Sequence, residues 1–182
     1  SKIFSALTNM KLTTKKGEFV EGTGAFKAQY FTAEKKILSH GVLANPVNIS
    51  GYEKGSVHLS LYVNQVSNLK NFINFELSSS GKCDVDEYNW KIETADLKNG
   101  WNDVYLTFDE ASVFGKPNLK AINYFRIFST EVNENIVLLL DNVYATNDVL
   151  GDSAYSETES EHGKMIMSCN TSKIFSSLTN MK

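Results

Sequence analysis

Apolar and polar residues alternate with period two along much of the first 146 positions. From Ser56 to Asn64, Val57, Leu59, Leu61 and Val63 fall on one side, and His58, Ser60, Tyr62 and Asn64 on the other. Phe72 to Ser78 repeats the pattern, with Ile73, Phe75 and Leu77 inward and Asn74 and Glu76 outward. A further strand is expected over Asp84–Glu93, around Tyr88, Trp90 and Ile92. Another follows a glycine turn at Gly100-Trp101-Asn102, with Val104 and Leu106 on one face. Ile122–Phe128 and Ile136–Tyr144 complete the set, the latter nearly all apolar and so expected near the centre of a sheet. Such alternation in β-branched and aromatic runs marks half-buried strands. Asn45-Pro46, Ser50-Gly51 and Gly115-Lys116-Pro117-Asn118 punctuate the chain. Recurrent short strands without a long amphipathic helix predict an all-β antiparallel sandwich.

The two ends of the chain change the picture of its organisation. Residues 1–11 and 172–182 are the same but for Ala6 against Ser177, ten matches in eleven at an offset of 171. That spacing reads as whole domains in tandem, one full repeat followed by the start of the next. The chain opens on Ser-Lys without a signal peptide, as expected of a module cut from something larger. The expected division is a sandwich over 1–146, an acidic, serine-rich linker over 147–163, and a strand with the start of the next repeat over 164–182. The apolar Lys164–Asn170 stretch has two expected fates. It pairs back onto its own sandwich, or it exchanges with a neighbouring copy, because an unpaired edge is sticky.

Composition narrows the function classes. With 182 residues, 42% hydrophobic and 12% aromatic, the chain can bury a sizeable core. A net charge of −3, and no basic run longer than two residues, argues against nucleic acid as a partner. No apolar run reaches about 18 residues, so no membrane-inserted helix is expected. Cys83 and Cys169 lack metal-binding spacing and read as two free thiols, with a single disulfide between them as the alternative. No nucleophile elbow, zinc motif or phosphate loop occurs, and a lone outward Glu76 is a poor basis for a glycosidase pair. Catalysis is not expected.

The Gly100-Trp101-Asn102 entry, Ile122-Asn123-Tyr124-Phe125-Arg126-Ile127 and Leu140-Asp141-Asn142-Val143 together resemble the galactose-binding-like jelly-roll sandwiches. Many carbohydrate-binding modules of bacterial extracellular proteins belong to that group. Glu21-Gly22-Thr23-Gly24-Ala25-Phe26 and Leu61-Tyr62-Val63 resemble its early strands, and the likeness spans roughly residues 1–146. It implies a jelly roll, a polysaccharide or other glycan as partner, and an extracellular or bacterial cell-surface location. It also implies a structural calcium ion held by Glu21, nearby carbonyls and Asp141; the alternative is that Asp141 accepts backbone N–H bonds.

A sugar needs an aromatic platform and a few placed polar groups. The outward positions offer His58, Tyr62, Asn74, Glu76, Tyr105 and Arg126, the last being the only arginine of the chain. Trp90 joins these candidates, although Tyr88 and Trp90 share a face with Ile92 and core packing stays open for them. Trp101 is expected to pack at the strand start. The rival reading is a structural stalk or adhesin repeat that makes protein contacts without binding sugar.

Overall fold

The computed structural model describes residues 3–29, 31, 34–147 and 163–167. Twelve strands are seen there: β1 (Phe4–Thr8), β2 (Lys11–Thr13), β3 (Ala25–Ala28), β4 (Ile37–Val47), β5 (Ser56–Val63), β6 (Phe72–Ser78), β7 (Glu87–Glu93), β8 (Gly100–Thr107), β9 (Ser112–Phe114), β10 (Ile122–Ser129), β11 (Leu138–Thr146) and β12 (Lys164–Met167). Among the described residues, helix is limited to three short 3₁₀ turns, and no helix is long and apolar enough to cross a membrane.

Two antiparallel sheets result, ordered β1-β4-β10-β6-β7-β9 (the first sheet) and β2-β3-β11-β5-β8, with β12 added against β11 (the second sheet). The expected antiparallel β-sandwich is what the chain forms. Its core lies between the sheets, where Leu59, Leu61, Ile73, Phe75, Leu77, Phe125 and Ile127 are fully buried. Alternation explains this, because residues two apart share a face and the inward faces of β5 and β6 are wholly apolar.

The sequence pattern missed the longest strand. β4 places Ile37, Ser39, Gly41 and Leu43 inward, and the serine and glycine hide the apolar period. The glycine has a packing reason. A Cβ at Gly41 would lie 2.6 Å from Phe125 Cε1 and 3.0 Å from Phe4 Cδ1. His40, between the inward Ser39 and Gly41, faces out.

Strand β11 is divided by a bulge between Asp141 and Tyr144, where Asn142 has a φ of 47°. On one side of the bulge β11 pairs with β3, and beyond it, on the same edge, with β12. Ile166 and Met167 of β12 are 5% and 1% exposed, so this strand belongs to the core of the same chain. Most of the acidic stretch over 147–163 and everything after Met167, including Cys169 and the second copy of the terminal sequence, lie outside the described residues.

Candidate functional site

The sandwich has two outer faces, and they differ in access. On the second sheet, β5 points Ser56, His58 and Ser60 outward, yet each is at most 4% exposed. Loop residues 14–24 close over part of this face. Glu18 ties the loop down, accepting from Lys27 Nζ at 2.8 Å and Thr13 Oγ1 at 2.6 Å. The Lys27 bond, first, and the Thr13 bond hold the Glu18 carboxyl down at about 2. Asp141 ties it again, its Oδ2 accepting the N–H of Val20 at 2.9 Å and of Glu21 at 3.2 Å. His58 lies under Tyr144 and Tyr105, with ring centroids 4.5 and 4.8 Å away. Tyr62 meets Trp101 edge-on at 5.5 Å.

The first sheet is open in part: Asn74, Asn89, Arg126 and Phe128 are partly exposed, while Glu76, Ser78, Glu87 and Tyr124 are at most 4% exposed. Across it runs a polar row set by register: Thr8 beside His40, then Arg126, Glu76, Asn89 and Ser112. Arg126 donates from Nε and Nη2 to both Glu76 oxygens, and from Nη2 to Asp84 Oδ1 at 2.9 Å. This two-pronged pairing fixes the guanidinium plane against the sheet. Glu76 is fully buried, and burial raises its carboxyl above the usual range against the lowering effect of Arg126. His40, beside Tyr124, is held below its ordinary value by burial and then by Arg126, so it is neutral.

One row along the strands, Leu38, Phe128, Asn74 and Lys91 stand side by side. The Lys91 ammonium sits 4.7 Å from the centroid of Phe72, and the Arg126 guanidinium carbon 5.7 Å from that of Phe128. Phe72, Asn74, Asn89, Arg126 and Phe128 are all partly exposed. The result is a shallow face with a charged, hydrogen-bonded floor and aromatic rings beside it. In the opposite row Glu87 is fully buried, and Glu87 Oε2 accepts from the Asp84 N–H at 2.9 Å.

The seven sugar-binding candidates therefore separate. Asn74, Glu76 and Arg126 are brought together on the first sheet. His58, Tyr62 and Tyr105 share the second. Trp90 is corrected to the core: it is 2% exposed, opposite Phe75 on the inner face, and its indole N–H donates to the Thr107 carbonyl at 2.7 Å. Trp101 packs at the start of β8, on the outer face against Tyr62, while Asn102 holds the turn. Asn102 Nδ2 donates to the carbonyls of Leu61, Lys98 and Gly100, and its Oδ1 accepts from the Lys98 N–H. His40, Phe72, Asn89, Tyr124 and Phe128 were missed. Placing Trp90 inward would have turned Asn89 and Lys91 outward, and Arg126 outward would have carried Phe128 with it.

The calcium expectation meets a different chemistry at Asp141. Its Oδ2 is filled by two amides and its Oδ1 accepts the Asn142 N–H at 2.9 Å. The loop turns N–H groups toward the carboxylate, whereas calcium requires carbonyl and carboxylate oxygens converging on one point. Among the described residues no group of three or more His, Cys, Asp or Glu could hold a metal. These residues, as arranged, do not fit the ion; Asp141 anchors a loop.

No protein-family model matches the chain, and no curated protein matches it. Solved structures do. A family 30 carbohydrate-binding module superposes with a TM-score of 0.55 at 10% identity, over 81% of this chain and 78% of that one. An exo-beta-agarase structure superposes with a TM-score of 0.51 at 10% identity, over 76% of this chain and 22% of that one. The chain thus has the β-sandwich fold of carbohydrate-binding modules. At such identity the likeness is one of fold, and what the face binds has to be argued from its own residues.

Proposed function

We propose that the chain is a non-catalytic carbohydrate-binding module that holds a glycan on the outer face of the first sheet. The observation that carries this is the partly exposed set of Asn74, Asn89 and Arg126, floored by the buried Glu76 and flanked by Phe72 and Phe128. Rings offer the C–H face of a pyranose an apolar bed, and placed polar groups fix its orientation. The fold shared with a family 30 module supports the same reading. A catalytic role is disfavoured because Glu76 and Glu87 are both fully buried, so neither carboxyl can flank a scissile bond.

The repeated terminal sequence supports a setting in a repeated extracellular or cell-surface protein, where linked copies raise avidity through effective concentration. It also supports strand exchange between copies: Ala6, the one position at which they differ, is exposed, so the second copy keeps the packing residues Phe4, Leu7 and Met10 use. The alternative, a structural stalk, draws on exposed Val113 and Phe114 of the edge strand β9, 53% and 47% accessible.

Affinity electrophoresis through gels cast with single polysaccharides tests the proposal. Phe128→Ala should abolish retardation by any bound glycan, while Trp101→Ala on the other sheet leaves it. Loss with Trp101→Ala alone would move the site to the second sheet. No retardation of a folded parent by any polysaccharide would favour the stalk.

A further inference from the structure

Among the described residues, three buried side-chain oxygens show no hydrogen-bond partner: Asn74 Oδ1, Glu87 Oε1 and Asn142 Oδ1. Asn142 sits at the β11 bulge, away from the first sheet. Glu87 has an internal remedy, since burial holds its carboxyl at about 7, and a proton on the bare oxygen can face Glu76 on the neighbouring strand. Asn74 has none. A buried acceptor without a donor costs free energy.

The direction in which Asn74 points is imposed from a distance. Both Glu76 oxygens accept from Arg126, and Oε1 also accepts the Nδ2–H of Asn89 at 2.9 Å. That turns Asn89 Oδ1 toward Asn74, which donates its own Nδ2–H at 2.9 Å. Both amides are thereby oriented, and the relay ends on the bare carbonyl oxygen of Asn74. Phe128 lies directly across on β10, and Phe72 is two residues back on β6. A donor-hungry acceptor between two rings is the arrangement that a sugar hydroxyl completes.

Resting on the glycan-binding reading above, we propose that Asn74 is the specificity-determining acceptor of this face, and that it selects neutral, hydroxyl-rich glycans over anionic ones. The charges agree. Arg126 and Lys91 stand against Glu76, Asp84 and Glu93, so the face offers an incoming carboxylate or sulfate no net attraction. A bound pyranose displaces the Lys91 ammonium from the Phe72 ring and delivers a hydroxyl to Asn74 Oδ1.

The test is affinity electrophoresis of the full chain through hydroxyethylcellulose, mixed-linkage β-glucan, agarose, polygalacturonate and carrageenan. The expected result is retardation by at least one neutral polysaccharide and by neither anionic one. Asn74→Ala and Asn74→Ser should each weaken that retardation about tenfold in Kd, the worth of one hydrogen bond of about 1.4 kcal/mol. Melting temperatures check that both variants fold. Unchanged binding by Asn74→Ala, with Phe128→Ala inactive, overturns the role of Asn74 and leaves the glycan site standing. Retardation by polygalacturonate or carrageenan that Lys91→Ala abolishes overturns the choice of neutral ligands. No retardation by any of the five overturns both readings.

Discussion

Glu87→Gln should make the protein more stable at alkaline pH and leave it unchanged in acid. Glu87 is fully buried, and its Oε2 accepts the Asp84 N–H at 2.9 Å. Burial first, and then the neighbouring charge of Glu76, lift its carboxyl from 4.5 to about 7. Below pH 4.5 the group is protonated in both folded and unfolded chains and costs nothing. Above that, the unfolded chain ionises readily while the folded one resists, so stability is lost as pH rises through 7. At about 1.36 kcal/mol per pH unit, the gap amounts to about 3 kcal/mol.

Glutamine removes that cost. Its oxygen keeps the Asp84 N–H, and its NH₂ fills the bare position with a donor that can face Glu76. Urea unfolding of parent and variant at pH 4.5, 6, 7 and 8.5 measures the difference, in which titrations common to both cancel. The variant should gain about 2–3 kcal/mol at pH 8.5 and stay within about 0.5 kcal/mol of the parent at pH 4.5. A difference that does not grow with pH, or a variant weaker than the parent at pH 8.5, refutes the reasoning.

Three further outcomes are expected. Gly41→Ala drives a methyl group to 2.6 Å from the Phe125 ring, and should cost about 1–3 kcal/mol by overpacking, seen as a lower urea midpoint. Truncation after Leu150 removes β12 with its buried Ile166 and Met167, and should cost about 3–6 kcal/mol; an unchanged melting temperature would deny β12 its place in the core. Excess chelator should leave the melting temperature unmoved, because Asp141 spends its oxygens on backbone amides, and a fall would restore the calcium expectation.

The fold was legible because alternation is a local signal. Val57 to Val63 and Ile73 to Leu77 each declare a buried face without knowledge of any partner strand. β4 stayed hidden for a reason equally physical: a glycine at an inward position reads as a break, although Gly41 is there because Phe125 and Phe4 fill its space. Such a residue is explained only by side chains far along the chain. β12 read as a strand from its apolar run, but where it would pair was left open between its own sandwich and a neighbour. The bulge at Asn142, which vacates part of one edge of β11, is not visible as a period.

The candidate face was half legible, and the division follows from geometry. Alternation says that a residue points outward; it cannot say out of which sheet. His58, Tyr62 and Tyr105 pass the same test as Asn74, Glu76 and Arg126, yet they lie on opposite sides of the sandwich. Only pairing order separates them, since β5 joins β8 and β11 while β6 joins β7 and β10. Access then divides the two faces again, because Asp141 and Glu18 draw the 14–24 loop down over part of the second sheet. The lone arginine was the best single clue: Arg126 and Glu76 were both read as outward, and register sets them side by side, where the guanidinium pairs with both carboxylate oxygens. From that pair the floor of the face follows, because Glu76 accepts from Asn89, Asn89 accepts from Asn74, and both amides are thereby oriented.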